Sequence, residues 1–169
     1  MLARLQRILR HRWKDESDTR RAIPEDLSQR LAQRVAASEQ RHTGEIRIYV
    51  EAGLPLSYLW RDGTPRERAL TMFGKLQVWD TEQNNGVLIY LLLAEHAIEI
   101  VADRGLSRHV DQAQWDEVVL HMRQAFREGR FEDGLTQALE EVSALLVQHF
   151  PATPGVANPD ELPNAPVLG

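Results

Sequence analysis

Glu45, Asn85 and Asp103 are the residues of this sequence whose types and placement best suit chemistry. Two carboxylates and an amide offer only oxygen donors, the set that Mg²⁺ and Ca²⁺ prefer. Gly86, Arg104 and Gly105 stand beside them, the glycines allowing close backbone approach and the arginine offering a cation for an anionic group. Glu45 and Asp103 are therefore the predicted metal ligands for Ca²⁺ or Mg²⁺, with Asn85, Gly86, Arg104 and Gly105 as the ligand-binding surround. A plainer reading stays open: Asn-Gly and Asp-x-Gly are common turns, and Glu45 has Arg47 and Arg104 available as ion-pair partners.

Most other chemistries fall away on residue types. There is no Cys, which removes a thiol nucleophile, an Fe–S cluster and a Cys-type zinc site. The six histidines, at 11, 42, 96, 109, 121 and 149, include no metal-like short pair. Ser57, Ser107 and Ser143 lack the context of a nucleophile elbow, and no glycine-rich phosphate loop is present.

The elements that must position these groups can be read from periodicity. Ile46, Ile48 and Val50 alternate with charged residues or Tyr49, which predicts a half-buried first strand. Val87 to Leu93 form an unbroken apolar run, as a central strand buried on both faces would. A short turn at Ala94-Glu95-His96 leads to a third strand over 97–103. Helices are predicted over 25–41, from Thr64 to about Leu76 with a Thr64/Glu67 capping box, over 111–127 and over 131–149. A helix between strands one and two makes those strands parallel, and the hairpin makes strand three antiparallel. The fold class is α/β: a three-layer α/β/α sandwich around a small mixed β-sheet, with N-terminal helices. In that topology Glu45, Asn85 and Asp103 converge on one edge of the sheet. Ligands of open α/β sheets usually bind at the opposite edge, which makes the 52–64 loop with Asp62 the competing site.

Charge divides the chain unevenly. The net charge of −5 splits into +4 over residues 1–21 and −9 over the remainder. An acidic body argues against nucleic acid as a partner. Residues 1–24 read as a basic amphipathic leader, in which Leu2, Leu5, Leu9 and Trp13 share a face and the first 14 residues hold no acid. Such a helix suits an anionic membrane surface through residues 1–14, or packing on its own domain. Residues 25–150 form the domain, and 151–169, with five of the eight prolines, read as a disordered tail. No window of about 18 apolar residues exists to span a bilayer. The expected location is cytoplasmic, peripheral on the inner membrane.

Thr43-Gly44-Glu45-Ile46-Arg47-Ile48, Asn85-Gly86-Val87-Leu88-Ile89-Tyr90, Asp103-Arg104-Gly105-Leu106, Trp115 and His149-Phe150-Pro151 together resemble the TPM domain family over about residues 38–151. The family includes a thylakoid-lumen acid-phosphatase-like protein and many bacterial membrane-associated proteins. The resemblance implies an α/β/α sandwich, a divalent-metal or phosphate site at acidic residues, and a phosphatase activity proposed for some members. Glu45, Asn85 and Asp103 stand at motif positions. The export signal, membrane anchor and N-terminal Asp-Asp pair of many relatives are not found here. The expected function is a TPM-like accessory or binding module with a protein partner. The alternative is a metal-dependent, acid phosphatase-like hydrolase of phosphomonoesters.

Overall fold

A computed structural model describes residues 2–169, with Met1 and the side chains of Leu2 and Ala3 outside that description. The N-terminal third contributes three helices, α1 (Leu2–Arg12), α2 (Glu16–Ala22) and α3 (Glu25–Glu39). The first strand, β1 (Ile46–Glu51), is followed by the short α4 (Leu56–Trp60) and by α5 (Pro65–Lys75). Strands β2 (Val87–Leu92) and β3 (Ala97–Ala102) flank a 3-10 turn at Leu93–Glu95, closed by His96 in the left-handed conformation. Then come α6 (Arg104–Ser107), α7 (Gln112–Arg127), α8 (Phe131–His149) and β4 (Val167–Leu168).

The sheet order is β3-β2-β1-β4, with β1 parallel to both β2 and β4, and β3 antiparallel to β2. Alternation then divides the core. Ile46, Ile48, Val50, Val87, Ile89 and Leu91 meet α3, α7 and α8 on one face. Tyr49, Leu88, Tyr90 and Leu92 meet Leu59 of α4 and Ala69 and Met72 of α5 on the other. The result is the α/β/α sandwich expected, and β2 is an interior strand, as expected, buried throughout. At α5 the Thr64 hydroxyl accepts from Glu67 N–H, and the Glu67 carboxylate accepts from Thr64 N–H at 2.7 Å, completing the predicted capping box.

Two features depart from the periodicity. β1 is buried on both faces, because Glu51 and Tyr49 lie under α5 while Arg47 is covered by the C-terminal segment. The segment 151–169 is the larger correction: it is not a disordered tail but packs back on the domain. Pro151 bridges to His42, Asn158 Nδ2 donates to the carbonyls of Glu39 (2.7 Å) and His42 (3.0 Å), and Leu162 is buried. Val167 and Leu168 pair with Tyr49 and Val50, which covers a β1 edge that would otherwise present unpaired backbone groups. A two-residue strand among prolines carries no readable alternation, so composition alone pointed to disorder.

Candidate functional site

The chain assembles its acidic site where α3 hands over to β1. Glu39 is the last residue of α3 and Glu45 immediately precedes β1, so the intervening turn brings the two together. The returning C-terminal segment adds Asp160. One carboxylate oxygen from each of the three lies within 4.8 Å of the others. Glu39 and Glu45 are buried and Asp160 is exposed at the mouth of a cavity of about 320 Å³.

Each buried acid has backbone donors rather than a cation. The Glu39 carboxylate accepts from Ile46 N–H at 3.1 Å, and that of Glu45 accepts from Glu161 and Leu162 N–H, both at 3.2 Å. Asn164 lines the same cavity, and its Oδ1 is buried without a partner. The Arg47 guanidinium, the nearest base, is turned to the carbonyls of Pro163 and Ala165. Burial, and then the charge of Glu45, push the Glu39 carboxyl up to about 8 against the pull of Ile46 N–H. Burial likewise raises Glu45 to about 7, opposed by its two backbone donors and assisted by Asp160 and Glu161.

A carboxyl raised by folding weakens the fold as pH climbs. Below the unfolded value of about 4.5 the group is protonated in both states and costs nothing. The cost grows between there and about 8, where Glu39 ionises in the folded protein. Glu39→Gln keeps the oxygen that accepts from Ile46 and removes the charge. The variant should match the parent's melting temperature near pH 4.5 and exceed it by roughly 5 °C at pH 8.5, in metal-free buffer. Parallel melting profiles across that range would show that Glu39 is not strained by burial.

The predicted residues gather at the same sheet edge through their backbones. Val87 N–H donates to Glu45 O at 2.8 Å, Asp103 N–H to Gly86 O at 2.9 Å and Gly105 N–H to Asn84 O at 2.8 Å. Their side chains take separate directions. Strand β2 separates Glu45 from Asp103, an interval of about 10 Å across two strand spacings. Glu45 turns toward residues 161–162, whereas Asp103 Oδ1 accepts from Arg104 N–H at 2.7 Å and caps α6. Asp103 Oδ2 is buried without a partner. The three-carboxylate group thus takes in Glu45 but not Asp103.

Asn85 is fully buried and ties its loop to Thr43, Nδ2 donating to Oγ1 at 3.1 Å, while its Oδ1 has no partner. A Cβ at Gly86 would lie 1.9 Å from Val78 O, and one at Gly105 would lie 2.4 Å from Asn84 O. Chain packing accounts for both glycines without a ligand. Arg104 and Arg108 line a shallow depression with Gln83, Asn84 and Gly105, and among the described residues neither guanidinium has an ion-pair partner.

The competing edge is filled from within. Glu51 accepts from Arg68 (Nη2, 2.6 Å) and from Tyr90 OH (2.7 Å), all three buried. Asp62 accepts from Arg7 at 2.8 Å.

Sequence reasoning missed Glu39 and Asp160. For Glu39 a signal existed: it follows Leu27, Leu31 and Val35 at the same four-residue step, an acid on the inward stripe. Asp160 had none, because its place depends on how the C-terminal segment folds back.

A family model described as TPM domain matches residues 17–145. Among solved structures, the chain is similar to the BA42 protein from the psychrophilic bacterium Bizionia argentinensis, with 27% identity and a TM-score of 0.73. That match covers 84% of this chain and 92% of the other. The N-terminal domain of a P. gingivalis protein shares the fold at 17% identity, with a TM-score of 0.60 over 78% of this chain and 83% of that one. No curated protein matches the sequence.

Proposed function

The chain belongs to the TPM domain family, and from that premise we propose that it is an accessory binding module whose acidic pocket exchanges protons for a divalent cation, Ca²⁺ or Mg²⁺. The observation that carries this reading is the trio Glu39, Glu45 and Asp160, with carboxylate oxygens within 4.8 Å of one another and no base between them. Three carboxylates and the free Asn164 Oδ1 are hard oxygen donors, which suits either ion. A cation held there would neutralise the buried acids and fasten the 158–164 segment to the start of β1. A module that responds to cation in this way would present its C-terminal face to a protein partner in one fixed form.

Melting in excess Ca²⁺ or Mg²⁺ tests it. At pH 8 the cation should raise the melting temperature by roughly 5 °C, and at pH 5 the gain should disappear as protons reoccupy the site. The gain should also vanish in Glu45→Gln and Asp160→Asn. An equal shift in those variants, or none in the parent, would remove the cation from the account.

A second reading, phosphomonoester hydrolysis, has one observation in its favour: the depression flanked by Arg104 and Arg108 suits an anionic group. It shares no lining residue with the acidic pocket. Hydrolysis of p-nitrophenyl phosphate that is lost on chelation and in Asp103→Asn would favour it; no turnover in the parent would leave the module alone.

A further inference from the structure

Helix α1 sits on the domain through Arg7, His11 and the partly buried Ile8, which packs on the core, while its leucine stripe points away. Arg7 and His11, four residues apart, share one face and are held by the body. Arg7 Nε donates to Glu95 Oε1 at 2.7 Å, and its Nη2 donates to Gly63 O at 2.7 Å. His11 is buried, and its Nδ1 accepts from Leu54 N–H at 2.9 Å, which leaves Nε2–H to donate to Glu95 at 2.8 Å. Leu5, Leu9 and Trp13 repeat at the same four-residue step but two positions out of phase, roughly 200° around the helix. They face solvent, with Trp13 84% exposed.

Among the described residues of α1, Ile8 is the one apolar side chain that packs on the core; the longer Leu5, Leu9 and Trp13 stripe, which in an ordinary amphipathic helix would point inward, faces away from it. The anchoring is specific: two side chains from one helix converge on a single carboxylate, so the orientation of α1 is fixed. Helix α4 packs against α1 and adds Leu56 and Trp60, the latter 69% exposed. The Arg4 guanidinium stands 5.9 Å from the Trp60 ring. Arg10 and Arg12, both exposed, flank the leucine stripe on its two sides. Apolar residues with two tryptophans, bordered by arginines, make up a surface with the composition of a bilayer interface binder.

We propose that the α1–α4 face docks on the surface of an anionic lipid bilayer. Charge complementarity selects this occupant. Residues 1–21 carry +4 and the rest of the chain −9, so an anionic surface attracts this end and repels the other, setting one orientation. A second copy would have to bring the same arginine-bordered face against itself. Leucine and tryptophan side chains would enter the headgroup boundary while Arg10 and Arg12 reach phosphates beside them. This docking is independent of the acidic pocket.

Co-sedimentation of the full chain with vesicles tests it. The parent should bind phosphatidylcholine vesicles containing phosphatidylglycerol, bind pure phosphatidylcholine at least about tenfold more weakly, and release from the anionic vesicles as salt rises. The double variant Leu9→Ser/Trp13→Ser should lose binding about tenfold or more. Arg10→Glu/Arg12→Glu, which leaves the apolar stripe in place, should lose a comparable factor. Both keep Arg7, His11 and Glu95, and unchanged melting temperatures establish that they fold. Glu45→Gln should bind vesicles like the parent, so failure of the cation reading leaves this one standing. Absence of binding, or equal binding by the parent and both variants, overturns the proposal. So does a dimer in sedimentation velocity that Leu9→Ser/Trp13→Ser dissolves while no vesicles are bound.

Discussion

Gly86→Ala is expected to cost about 3 kcal/mol or more in denaturant unfolding, among the largest losses open to a single methyl group in this chain. The added Cβ would stand 1.9 Å from Val78 O and 3.0 Å from its carbonyl carbon. Neither side has room to yield. Gly86 leads into the central strand and accepts the hydrogen bond of Asp103 N–H, while Val78 is fully buried and donates to Phe73 O at 3.0 Å. Relief would need β2 to shift against β1 or β3, and the paired registers on both flanks oppose that. Gly74→Ala is the internal control. A Cβ there meets nothing within 4 Å, and alanine in place of a helical glycine should stabilise by about 0.5–1 kcal/mol. If Gly86→Ala instead unfolds within 1 kcal/mol of the parent, the close approach of Val78 to β2 is not as described.

Arg68→Met should be comparably severe, by about 3–5 kcal/mol, because it strands a buried charge. Glu51 is 5% exposed and receives Arg68 through both Nε and Nη2. Tyr90 OH donates to the same carboxylate, and burial pushes that phenol's ionisation upward, so Tyr90 stays a donor. Tyr58 lies with its ring 5.4 Å from the Arg68 guanidinium. Removing Arg68 leaves Glu51 with one neutral partner. Adding Glu51→Gln removes the stranded charge and should restore a substantial part of the loss, giving a coupling of opposite sign to the single effects. Additive losses in the double variant would mean the two groups do not act as a pair. The network lies at the carboxyl ends of β1 and β2, the edge where α/β sheets usually bind ligands; here that edge is spent on stability.

How far the sequence disclosed this molecule varies by element. The apolar run 87–92 read correctly as a central strand because burial on both faces leaves only one composition open to it. Thr64-Pro65 with Glu67 marked the start of α5 because capping is a local transaction. β4 escaped because its two residues gain their meaning from the β1 edge 118 positions earlier. The 52–64 loop shows a finer limit: Leu54 and Leu59 are buried while Leu56 and Trp60 are exposed, a division that composition does not encode. For α1 the sequence marks two faces without saying which is held, since the answer depends on Glu95, Leu54 and Gly63 from distant loops.

The acidic pocket shows the same divide. Topology placed Glu45, Asn85 and Asp103 on one edge, where Glu45 O accepts from Val87 N–H and Asp103 N–H donates to Gly86 O, the two neighbours that follow Asn85. Side-chain direction was beyond reach, because Glu45 turns toward donors supplied by residues 161 and 162. Gly86 and Gly105 looked equally suited to ligand approach and to close packing; nearby carbonyls at Val78 and Asn84 account for them by packing. Glu39 could have been found by asking why an acid continues an inward stripe.

Calorimetric titration of Ca²⁺ into the metal-free protein at pH 7, repeated in two buffers of different ionisation enthalpy, tests the cation pocket most directly. With Glu39 raised to about 8 and Glu45 to about 7, binding should expel on the order of one proton per ion, and Glu39→Gln should remove the larger share of that release, leaving about half a proton from Glu45. No heat of binding, or binding without proton release that Glu39→Gln leaves unchanged, would contradict a cation site at Glu39, Glu45 and Asp160.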